Sequence, residues 1–351
     1  MTSKQRVLAA LRGEQADRVP IVDCIDWAPL AHIGRTIGLD VPSEREPFAF
    51  EKLAARVTRA LDIDSIWIPM SLGATPIDSQ RIRDRYGSVY RLSPHGEPTV
   101  EEGPISSIKD LRGFQMAAKL TSNDFERFTV ARELLNHDYP LWVYIEDTFK
   151  LSWKLRGGMG ELLRDFIRDP RLVHELARIT TEVTISTIRA VAQAGADVLL
   201  MEGDIAANKA PLFSLAHFRE YVKPYYMDIV AAAHECGLPI VKHSDGNMWP
   251  FMEDLVDIGF DAFHPIQPQC MSIEEVKSEF GHRMSLVGNI DCIETLVSDS
   301  QEEVARAVRD TLKVAAPGGR FILSSSNSIH AGVAVENYLT MVATGRRHGK
   351  Y

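Results

Sequence analysis

A chain of 351 residues with 45% hydrophobic and 25% charged side chains has the make-up of a globular protein. Its net charge of −9 argues against a nucleic-acid-binding surface. No run approaches the roughly 18–20 apolar residues of a spanning helix, and residues 1–20 lack the apolar core and cleavage site of a signal peptide. The four cysteines (Cys24, Cys236, Cys270, Cys292) form no CxxC pair, which fits a reduced, cytoplasmic compartment.

In chain order, an opening helix over about Lys4–Leu11 leads into a repeated strand–loop–helix pattern. Short apolar strands are expected near Val19–Val22, Ser65–Ile68, Leu141–Tyr144, Val198–Met201, Ile240–Lys242, Ala262–His264, Ser285–Val287 and Phe321–Leu323. Between them, apolar residues at three- and four-residue spacing predict helices over Arg171–Ala194, His217–Cys236, Trp249–Ile258, Ser300–Ala315 and Val335–Thr344. Asp169-Pro170 and Ser214 stand where N-caps belong, and Gly195, Gly237 and Gly259 where C-caps belong. Eight strands alternating with helices predict a (β/α)8 TIM barrel, with a doubly wound open sheet as the alternative. The stretch Arg81–Tyr90, followed by Glu97–Glu102, reads as a β-hairpin excursion between the second and third barrel strands. With no Pro/Gly/Ser-rich linker and no repeat, residues 1–351 read as one domain.

A barrel of this kind places its active site at the C-terminal ends of the strands. Residues just beyond the expected strands are Asp23 and Asp26, Glu146 and Asp147, Glu202 and Asp204, His243 and Asp245, His264 and Gln267, Asn289 and Asp291, then Asn327 and His330. Polar residues are expected at any such rim; the concentration of His, Asp and Glu on strands four to six exceeds that and favours an enzyme. Strand side chains alternate, so His243 and Asp245 point into one pocket, as a metal site or an acid–base pair. His264 is read either as a backbone-bonded structural histidine or as a substrate contact. Trp27 and Trp67 are equally plausible as packing or as a stacking surface for an aromatic substrate.

The chain resembles the uroporphyrinogen decarboxylase superfamily, which includes cobalamin-dependent methyltransferases. The resemblance rests on Asp17-Arg18-Val19-Pro20 after a short helix, Gly195-Ala196-Asp197, and Phe213-Ser214 with Phe218-Arg219-Glu220-Tyr221-Val222-Lys223-Pro224-Tyr225. It continues through Gly288-Asn289-Ile290-Asp291, Gly318-Gly319-Arg320-Phe321-Ile322-Leu323-Ser324-Ser325 and Val335-Glu336-Asn337-Tyr338. It implies a TIM barrel. The decarboxylases carry an arginine-rich segment where this chain has Asp23-Cys24-Ile25-Asp26-Trp27-Ala28-Pro29-Leu30, so a polycarboxylate would meet repulsion there. The methyltransferase branch holds zinc on His-x-Cys and a later Cys. Here those positions are His243, Asp245 and Asn327.

Carboxylate oxygen is an acceptable zinc ligand and an amide a poor one, so Glu202 is the expected third ligand beside His243 and Asp245. Loss of the thiolates shifts the implied reaction from thiol methylation to O-demethylation, with methyl transfer to a corrinoid held by a partner protein. His243, Asp245 and Asp204 are the expected catalytic residues. Asp23, Trp27, Glu146, His264, Gln267, Asn289 and Asn327 are candidates to bind the small-molecule methyl donor. A carboxy-lyase acting without metal, and a non-catalytic barrel that binds a ligand or a corrinoid protein, stay open as alternatives, as does a homodimer.

Overall fold

The computed structural model describes residues 1–68, 70, 73–93, 98–114, 116, 121–298 and 300–351; Glu97, the expected start of an excursion strand, lies outside them. The strands in chain order are β1 (Ile66–Ile68), β2 (Thr75–Pro76), β3 (Arg81–Arg83), β4 (Val89–Arg91), β5 (Thr99–Glu102), β6 (Leu141–Glu146), β7 (Val198–Glu202), β8 (Ile240–His243), β9 (Ala262–His264), β10 (Ser285–Ile290) and β11 (Phe321–Ser325). Among the described residues, β1 and β6 to β11 form one parallel sheet in sequence order. The stretch read as a hairpin, residues 81–90, contributes β3 and most of β4, paired antiparallel. β2 and β5 flank them to make a separate four-stranded sheet.

Alternation along the strands sorts their side chains into two cores. Trp67, Trp142, Leu200, Val241, Ala262, Val287 and Ile322 meet in one cluster with Val22, so the sheet curls around them. Their neighbours Ile66, Val143, Leu199, Ile240, Phe263, Leu286 and Leu323 face the surrounding helices. Residues 19–22 bridge the two edge strands. Val22 N donates to Leu323 O and Leu323 N to Pro20 O, while Asp64 N, just before β1, donates to Ile21 O. This arrangement is consistent with a TIM barrel, although the expected first strand, Val19–Val22, is a single bridge at Ile21 and not a regular strand.

Asp64, fully buried, ties that seam together by accepting from Ile21 N, Ser3 Oγ, Arg6 and Arg18. The helix Ser3–Arg12 covers the N-terminal ends of the strands: Val7, Ala10 and Leu11 join the inner core, and Ser285 Oγ donates to Ala10 O. The open end is therefore the C-terminal one. The expected helix over 217–236 is two, Leu215–Tyr221 and Lys223–Glu235, because Pro224 has no N–H to offer and its ring crowds the preceding turn. Ser214 and Asp169 do cap, accepting from His217 N and Leu172 N. Among the described residues no helix is long and apolar enough to cross a membrane.

Lys242 carries an outward position of β8 and is completely buried between sheet and helices. Its Nζ donates to Asp147 Oδ2 at 3.0 Å and to the carbonyls of Gly203 and His243 at 2.7 and 2.8 Å. Asp147 also accepts from Tyr226 Oη and caps the helix Thr148–Leu155 through Lys150 N. Lys242→Met strands a buried carboxylate and should destabilise the protein by about 3–5 kcal/mol in urea denaturation. The double variant Asp147→Asn/Lys242→Met should recover most of that loss.

Candidate active site at the strand ends

Register fixes which side chains share the open end. Glu146 pairs with Glu202, Glu202 with His243 and His243 with His264, so four polar residues stand in one row across β6 to β9. All four have the inward parity of Trp142, Leu200, Val241 and Ala262. Just past the row, the loop after β7 brings Asp204 and the turn after β8 brings Asp245. His243 Nε2 lies 3.9 Å from Asp204 Oδ1 and 3.9 Å from Asp245 Oδ1. Ligand atoms of these three residues all fall within 4.8 Å of one another.

The turn is held from several sides. Asp245 N donates to Asp204 Oδ1 at 2.9 Å, and Gly246 N donates to Gln267 Oε1 at 2.8 Å. Gly246 has φ +90°, and a Cβ there would meet the Ala206 and Ala207 backbone at 2.7–2.8 Å. Asn327 Nδ2 donates to Asp245 Oδ2 at 2.7 Å, which aims the other oxygen, Oδ1, at His243. That Oδ1 is buried and accepts no hydrogen bond. Burial pushes the Asp245 carboxyl up to about 6; Asp204 and Glu202 push the same way, against the pull of His243 and Asn327.

The histidine pair shares one hydrogen. The two Nδ1 atoms are 2.7 Å apart, so one carries the hydrogen and the other accepts it. Burial holds the His264 imidazole well below its ordinary pKa. His243 Nε2 is left facing the two carboxylates.

The donor set fits zinc: one imidazole nitrogen, two carboxylates, an unpartnered buried oxygen and a second histidine fixing the first. Ligands at zinc distances stand about 3.4 Å apart in a tetrahedron, so the 3.9 Å spacings need only a small contraction. Asp204, with a side chain 44% exposed, completes the trio. Glu202, the ligand expected from sequence, lies alongside with its Oε1 on Lys150 Nζ. Burial raises the Glu202 pKa, but Lys150, His243 and Lys154 outweigh it and leave the carboxyl below its ordinary value.

Lys150 and Lys154 were not foreseen. They sit at i and i+4 of the helix Thr148–Leu155, and Lys154 pairs with Glu146. The available signal was a lysine in a first helical turn, where the helix dipole disfavours a cation unless an anion faces it.

The other expected residues divide. Asn289 Nδ2 donates to Ile266 O, placing it beside Gln267. Asp23 is buried behind the wall, accepting from Ser324 and Ser325, and burial pushes its carboxyl up to about 7. Trp27 opens the helix Trp27–Thr36 and packs on the outer core, while Trp67 stacks in the inner core on Trp142 and Tyr144. His330 Nε2 meets Cys292 O.

The profile described as uroporphyrinogen decarboxylase (URO-D) matches residues 2–348. A methylcobamide:CoM methyltransferase of Methanosarcina barkeri is 24% identical over 97% of both chains. A uroporphyrinogen decarboxylase of Coxiella burnetii is 22% identical over 96% of this chain and 93% of its own. A solved methyltransferase from Methanosarcina mazei superposes with a TM-score of 0.79 at 23% identity, covering 99% of each chain. With nearly its whole length matched by that profile, the chain belongs to the uroporphyrinogen decarboxylase family.

Proposed function

We propose that this chain, as one barrel domain spanning residues 1–351, cleaves the methyl–oxygen bond of a methoxylated small molecule and passes the methyl group to a corrinoid on a partner protein. The observation that carries the reading is the donor set at the mouth: His243 Nε2, Asp204 and Asp245, with no thiolate among them. Zinc held there supplies a Lewis acid for the ether oxygen. Asp245 Oδ1 and His243 Nε2 are aimed before anything binds, by Asn327 and His264. Both carboxylates are ionised when they hold the metal, so the departing oxygen takes its proton from water. Glu146 with Lys154, and Glu202 with Lys150, line the mouth with paired charges, so a neutral ether enters without an unpaired charge to desolvate. Gln267 and Asn289 orient it from the β9 and β10 side. The methylcobamide named for the Methanosarcina barkeri relative supports a corrinoid partner.

A carboxy-lyase has the family in its favour. Against it stand four carboxylates at the mouth and the absence of arginine from residues 23–30. The distinguishing experiment supplies reduced free cobalamin and a panel of methoxylated donors, and follows methylcobalamin by absorbance. Product from at least one donor, abolished in His243→Ala together with stoichiometric zinc, is expected. Carboxylate turnover with no cobalamin, or full activity in zinc-free protein, refutes the assignment.

Metal and proton compete for Asp245. Its folded pKa is raised, so in metal-free protein its contribution to stability is complete below about 4 and lost as pH rises through about 6. Metal-free Asp245→Asn should therefore melt higher than metal-free wild type at pH 8, with the gap closing toward pH 4. It should also lose the rise in melting temperature that zinc gives the wild type. Equal melting temperatures at pH 8 would show that Asp245 is not held against its charge.

A further inference from the structure

Asp23 stands outside the mouth, yet hydrogen bonds run from it to one of the three proposed ligands. Its Oδ1 accepts from Ser325 N at 2.8 Å and from Ser325 Oγ at 2.6 Å, with Ser324 Oγ at 3.1 Å. The Ser325 hydroxyl shares its hydrogen with the Asn327 carbonyl, and Asn327 Nδ2 fixes Asp245. Ser325 is fully buried and Asp23 nearly so, so neither end can exchange these partners for solvent.

A carboxyl buried among apolar residues such as Ile25, Leu30 and Ala54 carries a desolvation cost that packing alone does not explain. Its one engaged oxygen, Oδ1, is committed to the strand end that supports Asn327, and its buried Oδ2 accepts no hydrogen bond.

Resting on the zinc reading above, we propose that Asp23 and Ser325 are positioning residues that hold Asp245 in its ligand orientation through Asn327. They touch neither substrate nor metal. Asp23 fixes the Ser325 hydroxyl, which holds the Asn327 backbone so that its side-chain amide stays on Asp245.

Zinc affinity, measured by competition with a chromophoric chelator, and exchange of the Asn327 side-chain amide protons in the metal-free protein, followed by NMR, test this together. Asp23→Ala and Ser325→Ala should each weaken zinc about tenfold, at the low end for residues behind metal ligands. Asp23→Asn keeps an oxygen acceptor for the Ser325 amide and should stay within about threefold of wild type. Tyr338→Phe, which leaves the Asp23–Ser325 bonds in place, should bind zinc as wild type does. In the NMR experiment the Asn327 amide should exchange slowly in wild type and about tenfold faster in Asp23→Ala. Unchanged affinity in both alanine variants, whatever their melting temperatures, overturns the proposal; a merely structural role would lower stability alone. If Asp23→Ala does not fold, Ser325→Ala decides by the same affinity measurement. If wild type binds no zinc, the zinc reading fails. The Asn327 exchange then judges the positioning role by itself, and unchanged exchange in Asp23→Ala refutes it.

Discussion

The ammonium of Lys242 and the carboxylate of Asp147 meet in a space that water does not reach, and the polar end of the barrel is built outward from that contact. Burying either charge alone costs several kcal/mol, so each fixes the other. Lys242 then spends its remaining donors on the carbonyls of Gly203 and His243, at the ends of β7 and β8. Asp147 starts the helix that carries Lys150 and Lys154. Gly203 must be glycine for this to close, since a Cβ would lie 2.2 Å from the Asp147 carboxylate. One ion pair behind the wall thus sets both the spacing of the acidic row and the approach of the cations that balance it.

In front of the wall the rule reverses. Asp245 Oδ1 is buried without a partner, and the carboxyl resists ionising. A folding polypeptide would gain by satisfying that oxygen or replacing it with an apolar group. Its retention, with its twin oxygen clamped by Asn327 and its backbone N–H clamped by Asp204, describes a group kept ready for something that binds. Stability is taken from Lys242, Asp147 and Asp64, and the site holds part of it as unmet hydrogen-bonding capacity.

Much of this was legible in the chain. Seven of the eight expected strands appear in order, and the two-residue spacing of His243 and Asp245 did put both near one point. The edge segment 19–22 was legible as an apolar run, but its pairing depends on Asp64, forty residues away, which local pattern does not reveal. Asp23 looked like a rim residue because it follows that run. The alternation Val22 inward, Asp23 outward, Cys24 inward places it behind the wall, a consequence of strand parity that position along the chain alone conceals. Lys150 and Lys154 escaped notice because a lysine on a helix is ordinarily solvated; only the place of that helix beside the ends of β6 and β7 brings them to Glu202 and Glu146. Pro224 did mark a helix break, and the apolar periodicity around it hid the signal.

Carboxylates at the positions where the family resemblance implies thiolates alter more than a metal's affinity in the proposed site. A thiol must give up a proton near pH 8.5 to become a ligand, whereas Asp245 does so near 6 even while buried. Asp245 can therefore ionise at neutral pH without the strong electron donation that a thiolate brings. An ion held by harder, less donating ligands keeps more of its positive character for the remaining position. That suits polarising an ether oxygen and suits capturing a soft sulfur anion less well. Asn327 fits the same logic: standing where the resemblance implies a third ligand, it turns its amide donor on Asp245 and supports that proposed ligand instead.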